Sequence, residues 1–363
     1  DQRTARFSYA NESRQRGSAD SINSLNPESL VSDPSQRPGV LVDLKLARDG
    51  DLRSLPSSSQ TTQGRLSDLT QADHKPAFWI IDSRSIPSSM LSNPQNALTK
   101  IRLFAMDRCG RLRESNTEDW SKDVEDNQCL WLVVHGNRVD SNEAVAFMKS
   151  FRHAADHIGI NGQFVLWSWP SGVMVRGIAR DSRLKASRAD AEASLLAAWL
   201  LQRPSQTPVV LVGYSFGART IMRAASLVAL EQPSAPVTGS AAITQPKTPR
   251  AFVLFLVAPA MDSSTFERLA RQTLERGVSL KIIVTVNRSD PALRWYQHLW
   301  SHHGPKALGW QGPYCSTVGK LGQSLDTLDL TRQVGHTHRW EVYLGAPSVR
   351  RALQAIASVP IPD

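Results

Sequence analysis

Val209-Val-Leu-Val-Gly-Tyr-Ser-Phe-Gly-Ala-Arg-Thr220 decides how the rest of the chain is read. Four apolar residues, Val209 to Val212, have the continuous character of a strand buried on both faces. They run into Gly213-Tyr214-Ser215-Phe216-Gly217, and from Ala218 the pattern is helical. A serine held between glycines at a strand-to-helix turn is the signature of a strained elbow that presents its hydroxyl at the tip of a sheet. Glycine on both sides removes the side chains that would collide in so sharp a turn.

On either side of this segment, short apolar runs recur, giving with it 78–82, 101–106, 130–135, 164–169, 209–214, 251–257, 280–286 and 325–330. Several are uninterrupted (LWLVV, VVLV, FVLFLV), as expected of strands covered by helices on both sides. Amphipathic segments lie at 141–157, 179–202, 218–231, 264–276 and 348–357. Strands alternating with helices predict an α/β three-layer sandwich with a mostly parallel, eight-stranded sheet and helices on both faces.

A serine hydroxyl becomes a useful nucleophile only beside a base, and the base needs a carboxylate to orient it. In a sheet of this kind the chain order is serine, acid, histidine. Asp290 follows the strand KIIVTV and Asp262 follows FVLFLV. Asp290 is preferred because the loop after the penultimate strand lies closest to the last one; Asp262 then reads as a helix N-cap. Only His336 and His338 follow the final strand, and their spacing does not separate them. His338 is taken as the base, with His336 as the alternative. The oxyanion formed in acyl transfer needs backbone donors. One is expected from Phe216 and the other from Asn137 in the loop His135-Gly136-Asn137-Arg138. His135, at a strand end, reads as a residue that fixes this loop.

GYSFG, the upstream HGNR and the late histidine resemble the alpha/beta-hydrolase superfamily. Trp167-Ser-Trp-Pro-Ser-Gly, Asp181, Asp290-Pro-Ala-Leu and His338-Arg-Trp resemble a narrower bacterial branch of alpha/beta hydrolases of unknown function. The resemblance runs from about Ala77 to the C-terminus. It implies a triad at Ser215, Asp290 and His338, implies no cofactor and names no substrate. The expected activity is cleavage of a carboxylic ester through an acyl-enzyme, on a small-molecule acyl substrate. Thioester cleavage and acyl transfer use the same groups, and a hydrolase-fold binding protein without catalysis is the reading from another class.

At 363 residues, 41% apolar and 21% charged, the composition is that of an ordinary soluble protein. No run of 18 apolar residues is present, so no transmembrane segment is expected. Cys109, Cys129 and Cys315 are odd in number and lack a CxxC pair, which argues against a disulfide framework or zinc ribbon. His153/His157 and His298/His302/His303 have helical spacing but no accompanying carboxylates, so no metal is expected. Ten acidic side chains balance ten basic ones in residues 1–75, so the net charge of +9 lies wholly in the remainder. It includes no dense Lys/Arg run, and no nucleic-acid partner is expected. Residues 1–75 are polar and read as largely disordered, apart from the apolar stretch at 39–46; residues 76–363 read as one catalytic domain. The aromatic-rich stretch 291–324 reads equally as a lid over the site or as core. The chain begins at Asp1 with no charged-then-apolar signal segment, and a cytoplasmic location is slightly favoured. Oligomeric state is not legible.

Overall fold

A computed structural model describes residues 76–124, 129–203, 208–231, 251–301 and 304–358. The expectations for residues 1–75 fall outside the described residues. Among the described residues, nine strands form one sheet: β1 (Phe78–Asp82), β2 (Arg102–Met106), β3 (Leu112–Ser115), β4 (Leu130–Val134), β5 (Gln163–Ser168), β6 (Val209–Tyr214), β7 (Ala251–Val257), β8 (Ser279–Val286) and β9 (Leu325–Asp329). Their order is β3-β2-β1-β5-β4-β6-β7-β8-β9. The β1–β2 and β2–β3 pairs are antiparallel and every other pair is parallel.

The sheet has nine strands where the sequence predicts eight. The extra one, β3, reads Leu-Arg-Glu-Ser; its first three residues are exposed and the fourth half-buried. An edge strand of this kind buries no face and so carries no apolar signal. It is joined to β2 by a turn in which Asp107 N–H donates to Arg111 O at 3.0 Å and Gly110 sits at φ 83°.

The central strands have the opposite character. All five residues of β4 and all six of β5 and β6 are buried. Each large side chain so placed contributes roughly 1.5–3 kcal/mol. Two layers of helix make this burial possible. On one side α2 (Ile178–Leu201) packs on α3 (Phe216–Leu230), and α3 on α4 (Ser263–Glu275). On the other, α1 (Ser141–His157) meets α6 (Trp340–Gly345), which leads into α7 (Pro347–Ser358). The remaining helix of note, α5 (Pro291–Trp295), follows β8. The start of α1 is a capping box: the Asp140 side chain accepts from Glu143 N–H, and the Glu143 carboxylate accepts from Asp140 N–H.

Because the strands from β4 to β9 run parallel, the loops after β4, β6, β8 and β9 emerge at one edge of the sheet. That edge, where an α/β sheet generally binds its ligands, is where Asn137, Ser215, Asp290 and His338 all fall.

Candidate active site

Ser215 is the residue between β6 and α3, with φ 56° and ψ −116°. This conformation is costly for an L-residue and persists only where its surroundings impose it. They do so through the backbone: Ser215 N–H donates to Val257 O at 2.9 Å, and Ser215 O accepts from Ala218 at 3.1 Å and Ala260 at 3.2 Å. The flanking glycines are required by space. A Cβ on Gly217 would lie 2.2 Å from Val134 O, and one on Gly213 would lie 2.6 Å from the Ala218 backbone.

His338 brings its ring to this serine. Its Nε2 lies 3.1 Å from Ser215 Oγ and its Nδ1 lies 2.6 Å from Asp290 Oδ2. Since the carboxylate can only accept, Nδ1 carries the proton and Nε2 is left to accept from the serine hydroxyl. His336 is exposed and shares in neither contact. Asp290 is fully buried, and its two oxygens divide the work. Oδ1 caps α5, accepting from Ala292 N–H at 2.9 Å and Leu293 N–H at 3.1 Å. Oδ2 accepts from His338 and from the Tyr343 hydroxyl, the latter at 2.6 Å. Asp262, the alternative acid, caps α4 by accepting from Thr265 N–H at 2.7 Å, and also takes the Ser264 hydroxyl.

Three residues around Asp290 and His338 were not singled out by sequence reasoning. Asn287 donates from Nδ2 to Gly335 O at 2.9 Å and to the Tyr343 hydroxyl at 3.1 Å, tying the loop after β8 to the segment that carries His338. Tyr214 stacks on the His338 ring at 5.2 Å between centroids and donates its hydroxyl to the His338 carbonyl. Burial, reinforced by the Asp290 charge, pushes both the Tyr214 and Tyr343 phenols upward, so both keep their protons and donate. Tyr214 stood within the quoted motif, but nothing in its spacing announces that its ring will lie under a histidine 124 residues later.

The loop after β4 closes the other side. A Cβ on Gly136 would lie 3.0 Å from Ser215 Cβ, which measures how tightly this loop approaches the serine. Asn137 and Phe216 both line the cavity that contains Ser215, and neither backbone N–H has a protein acceptor among the described residues. His135 holds the loop from behind. Its Nε2 accepts from Trp169 N–H at 3.2 Å and lies 3.1 Å from Arg84 Nη2, its Nδ1 lies 3.0 Å from Gly136 O, and its ring stacks on Trp169. Burial, aided by the Arg84 charge, pushes His135 down to about 3, so the ring is neutral and Nδ1 bears the hydrogen. Arg84 also donates to Val139 O and Asp140 O, each at 3.1 Å, and to Ser168 Oγ at 2.7 Å. It is a clamp on this loop that lies in the turn after β1, where sequence reasoning had no cue.

The cavity over Ser215 holds about 530 Å³. Ile178, Phe216, Leu293, Trp295, Tyr296 and Leu299 give it an apolar wall, and Arg138 and Ser182 are its polar neighbours. Of the stretch 291–324, residues Leu293, Tyr296, Leu299 and Leu308 are buried in the core while Trp295, Trp300 and Tyr314 are exposed. Leu308 N–H donates to Met261 O at 2.7 Å and Gly309 N–H to Pro259 O at 3.0 Å, pinning its middle to the loop after β7. A larger cavity, about 900 Å³, lies at the opposite end of the strands beside Pro76 and has no serine in its lining. Among the described residues, no group of three His, Cys, Asp or Glu side chains is disposed to hold a metal ion, and no helix is long and apolar enough to cross a membrane. His302 and His303 lie outside the described residues.

Acyl-protein thioesterase 2 of Zea mays is 13% identical, with 64% of this chain and 94% of that one covered at a TM-score of 0.36. An esterase/lipase from an uncultured bacterium is 10% identical, covering 84% and 92% at 0.34. RedJ, the thioesterase of the prodiginine pathway in Streptomyces coelicolor, is 14% identical, covering 63% and 85% at 0.26. No protein of curated function matches the sequence significantly. The family model described as "Alpha/beta hydrolase of unknown function (DUF900)" matches residues 113–309, more than half of the chain, and the protein belongs to that family.

Proposed function

We propose that this protein is a serine hydrolase that cleaves a carboxylic ester through a covalent acyl-enzyme. The observation that carries the reading is the hydrogen-bonded line from Asp290 Oδ2 through the His338 ring to Ser215 Oγ, at 2.6 and 3.1 Å. His338 Nε2 takes the hydroxyl proton as Ser215 Oγ bonds to the acyl carbon. The carbonyl oxygen becomes an oxyanion, for which the N–H groups of Phe216 and Asn137 are the donors. As the tetrahedral species collapses, the bond to the alcohol breaks and His338 returns its proton to the departing oxygen. Water then attacks the acyl-enzyme by the same route, with His338 again taking and returning one proton. Asp290 fixes the ring tautomer and steadies the imidazolium. The apolar wall of the cavity supports an acyl or alcohol group of hydrocarbon character as the part that binds.

The test is turnover of p-nitrophenyl esters of graded chain length by four proteins. Ser215→Ala and His338→Ala lose about 10⁶-fold in kcat, and Asp290→Asn loses about 10⁴-fold by leaving the wrong tautomer. Asp262→Asn retains turnover within about a few-fold, because its carboxylate caps α4 and touches no histidine. Loss of turnover in Asp262→Asn with Asp290→Asn unaffected assigns the acid to the other loop and overturns this reading.

A further inference from the structure

Among the described residues, ten large apolar side chains are exposed, and six of them fall in two short segments. Val173, Met174, Ile178 and Leu184 lie in residues 172–184, from the loop after β5 into the first turns of α2. Trp295 and Trp300 lie in residues 291–300. These two segments are neighbours. Arg183 Nη1 donates to Leu299 O at 2.7 Å, and Ile178 and Trp295 line the same cavity over Ser215. Val173 is 71% exposed and Ile178 57%, far more than a side chain serving the core would be.

Charge on this rim has one sign. The exposed charged side chains of the two segments are Arg176, Arg180, Arg183 and Arg294. The one carboxylate, Asp181, is fully buried, holds Lys185 Nζ at 2.6 Å and accepts from Met174 and Val175 N–H at 2.8 and 3.2 Å. The apolar loop is therefore fixed at the surface by hydrogen bonds to a buried carboxylate. Tryptophan and long aliphatic side chains set among arginines match a negatively charged lipid–water boundary, where the rings sit at headgroup depth and the guanidinium groups meet anionic headgroups.

We propose that this rim docks the protein on an anionic lipid surface, with the Ser215 cavity opening onto it. The position of the cavity mouth favours lipid over a protein partner. Ile178 and Trp295 are both cavity wall and exposed rim, so a protein seated on them would seal the site, whereas a lipid phase would supply acyl chains to it. The inference rests on the reading of Ser215 as an acyl-cleaving centre for its substrate class, lipid acyl esters. Docking itself needs no turnover.

Binding is therefore measured on the full chain carrying Ser215→Ala, by sedimentation with phosphatidylcholine vesicles with and without 50% phosphatidylglycerol. The expected result is binding to the anionic vesicles at least about tenfold stronger than to phosphatidylcholine alone, weakened by salt. Val173→Asp with Met174→Asp, and separately Arg176→Glu with Arg180→Glu, each lower the binding about tenfold or more. In the Ser215 background these four positions leave turnover of a short soluble p-nitrophenyl ester unchanged, which shows that the variants are folded. Equal partition to both vesicle types, or binding indifferent to both pairs of substitutions, overturns the proposal. So does binding to heparin that loses as much from the arginine pair while the apolar pair changes nothing on vesicles. Vesicle binding without turnover in the Ser215 protein would sink the catalytic reading alone.

Discussion

His135 acts through a proton that it does not accept. Its ring is fully buried, with Nε2 beside the Arg84 guanidinium, and its folded value of about 3 lies below the ordinary 6.5. Below pH 6.5 the unfolded chain binds a proton there that the folded chain refuses, so stability falls as pH falls. The loss is about 1.4 kcal/mol per pH unit and levels off near pH 3. Above pH 6.5 the contribution is fully present. A His135→Gln variant keeps an acceptor in place of Nε2 but has nothing to titrate. Urea denaturation at pH 7.5 and pH 5.5 is expected to show wild type losing about 1.4 kcal/mol more than the variant between the two. Parallel losses would show that this imidazole is free to take up a proton in the folded protein.

One helix carries an arrangement that its amphipathic pattern conceals. In α2, Asp181, Lys185, Arg188 and Glu192 follow at spacings of four, three and four, so they share a stripe, and that stripe faces inward. Arg188 meets Glu192 at 2.6 Å and donates to Ile86 O and Ser88 Oγ at 2.8 and 2.9 Å. Glu192 in turn accepts from Ser83 Oγ at 2.8 Å and Trp167 Nε1 at 3.1 Å. Burial pushes the Glu192 carboxyl upward, opposed by the Arg188 charge and these hydrogen bonds. Charged side chains read from sequence are placed outside, which is why reading 179–202 as an amphipathic segment missed a polar spine joining the loops after β1 and β5. Removing one partner leaves the other buried and uncompensated. Glu192→Ala is therefore expected to lose about 3–5 kcal/mol in equilibrium denaturation. The double variant Arg188→Met, Glu192→Leu loses less than the sum of the two single ones; additivity would show that the pair is not coupled.

Across the whole molecule, what was legible in the sequence is what a buried parallel sheet must write into it. Continuous apolar runs announced β4, β6, β7 and β8, and the glycines around Ser215 announced a turn in which a Cβ would strike Val134 O or the Ala218 backbone. β3 was not legible, because an exposed edge strand of four residues buries no face that would leave an apolar pattern. At the candidate site, chain order pointed to Ser215, to Asp290 or Asp262 and to His336 or His338, and Ser215, Asp290 and His338 are the ones in contact with one another. Spacing alone does not separate His338 from His336, since the contacts that hold the His338 ring come from Tyr214 and Asp290, far away in sequence. Arg84, Asn287 and Tyr343 were silent for the same reason: each acts through partners between 48 and 84 residues distant. The apolar, basic rim around the cavity was not legible either, because exposure of Val173 or Trp300 is a property of packing.

The proposed function requires that the Ser215 oxygen be an activated nucleophile. A fluorophosphonate probe reacts only with such an oxygen, so the direct measurement is labelling of the folded protein followed by mass spectrometry of the peptide that contains Gly213 to Gly217. One adduct is expected, on Ser215, lost in Ser215→Ala and strongly slowed in His338→Ala. Wild-type protein that is folded and stays unlabelled, or an adduct on any other residue, would contradict it.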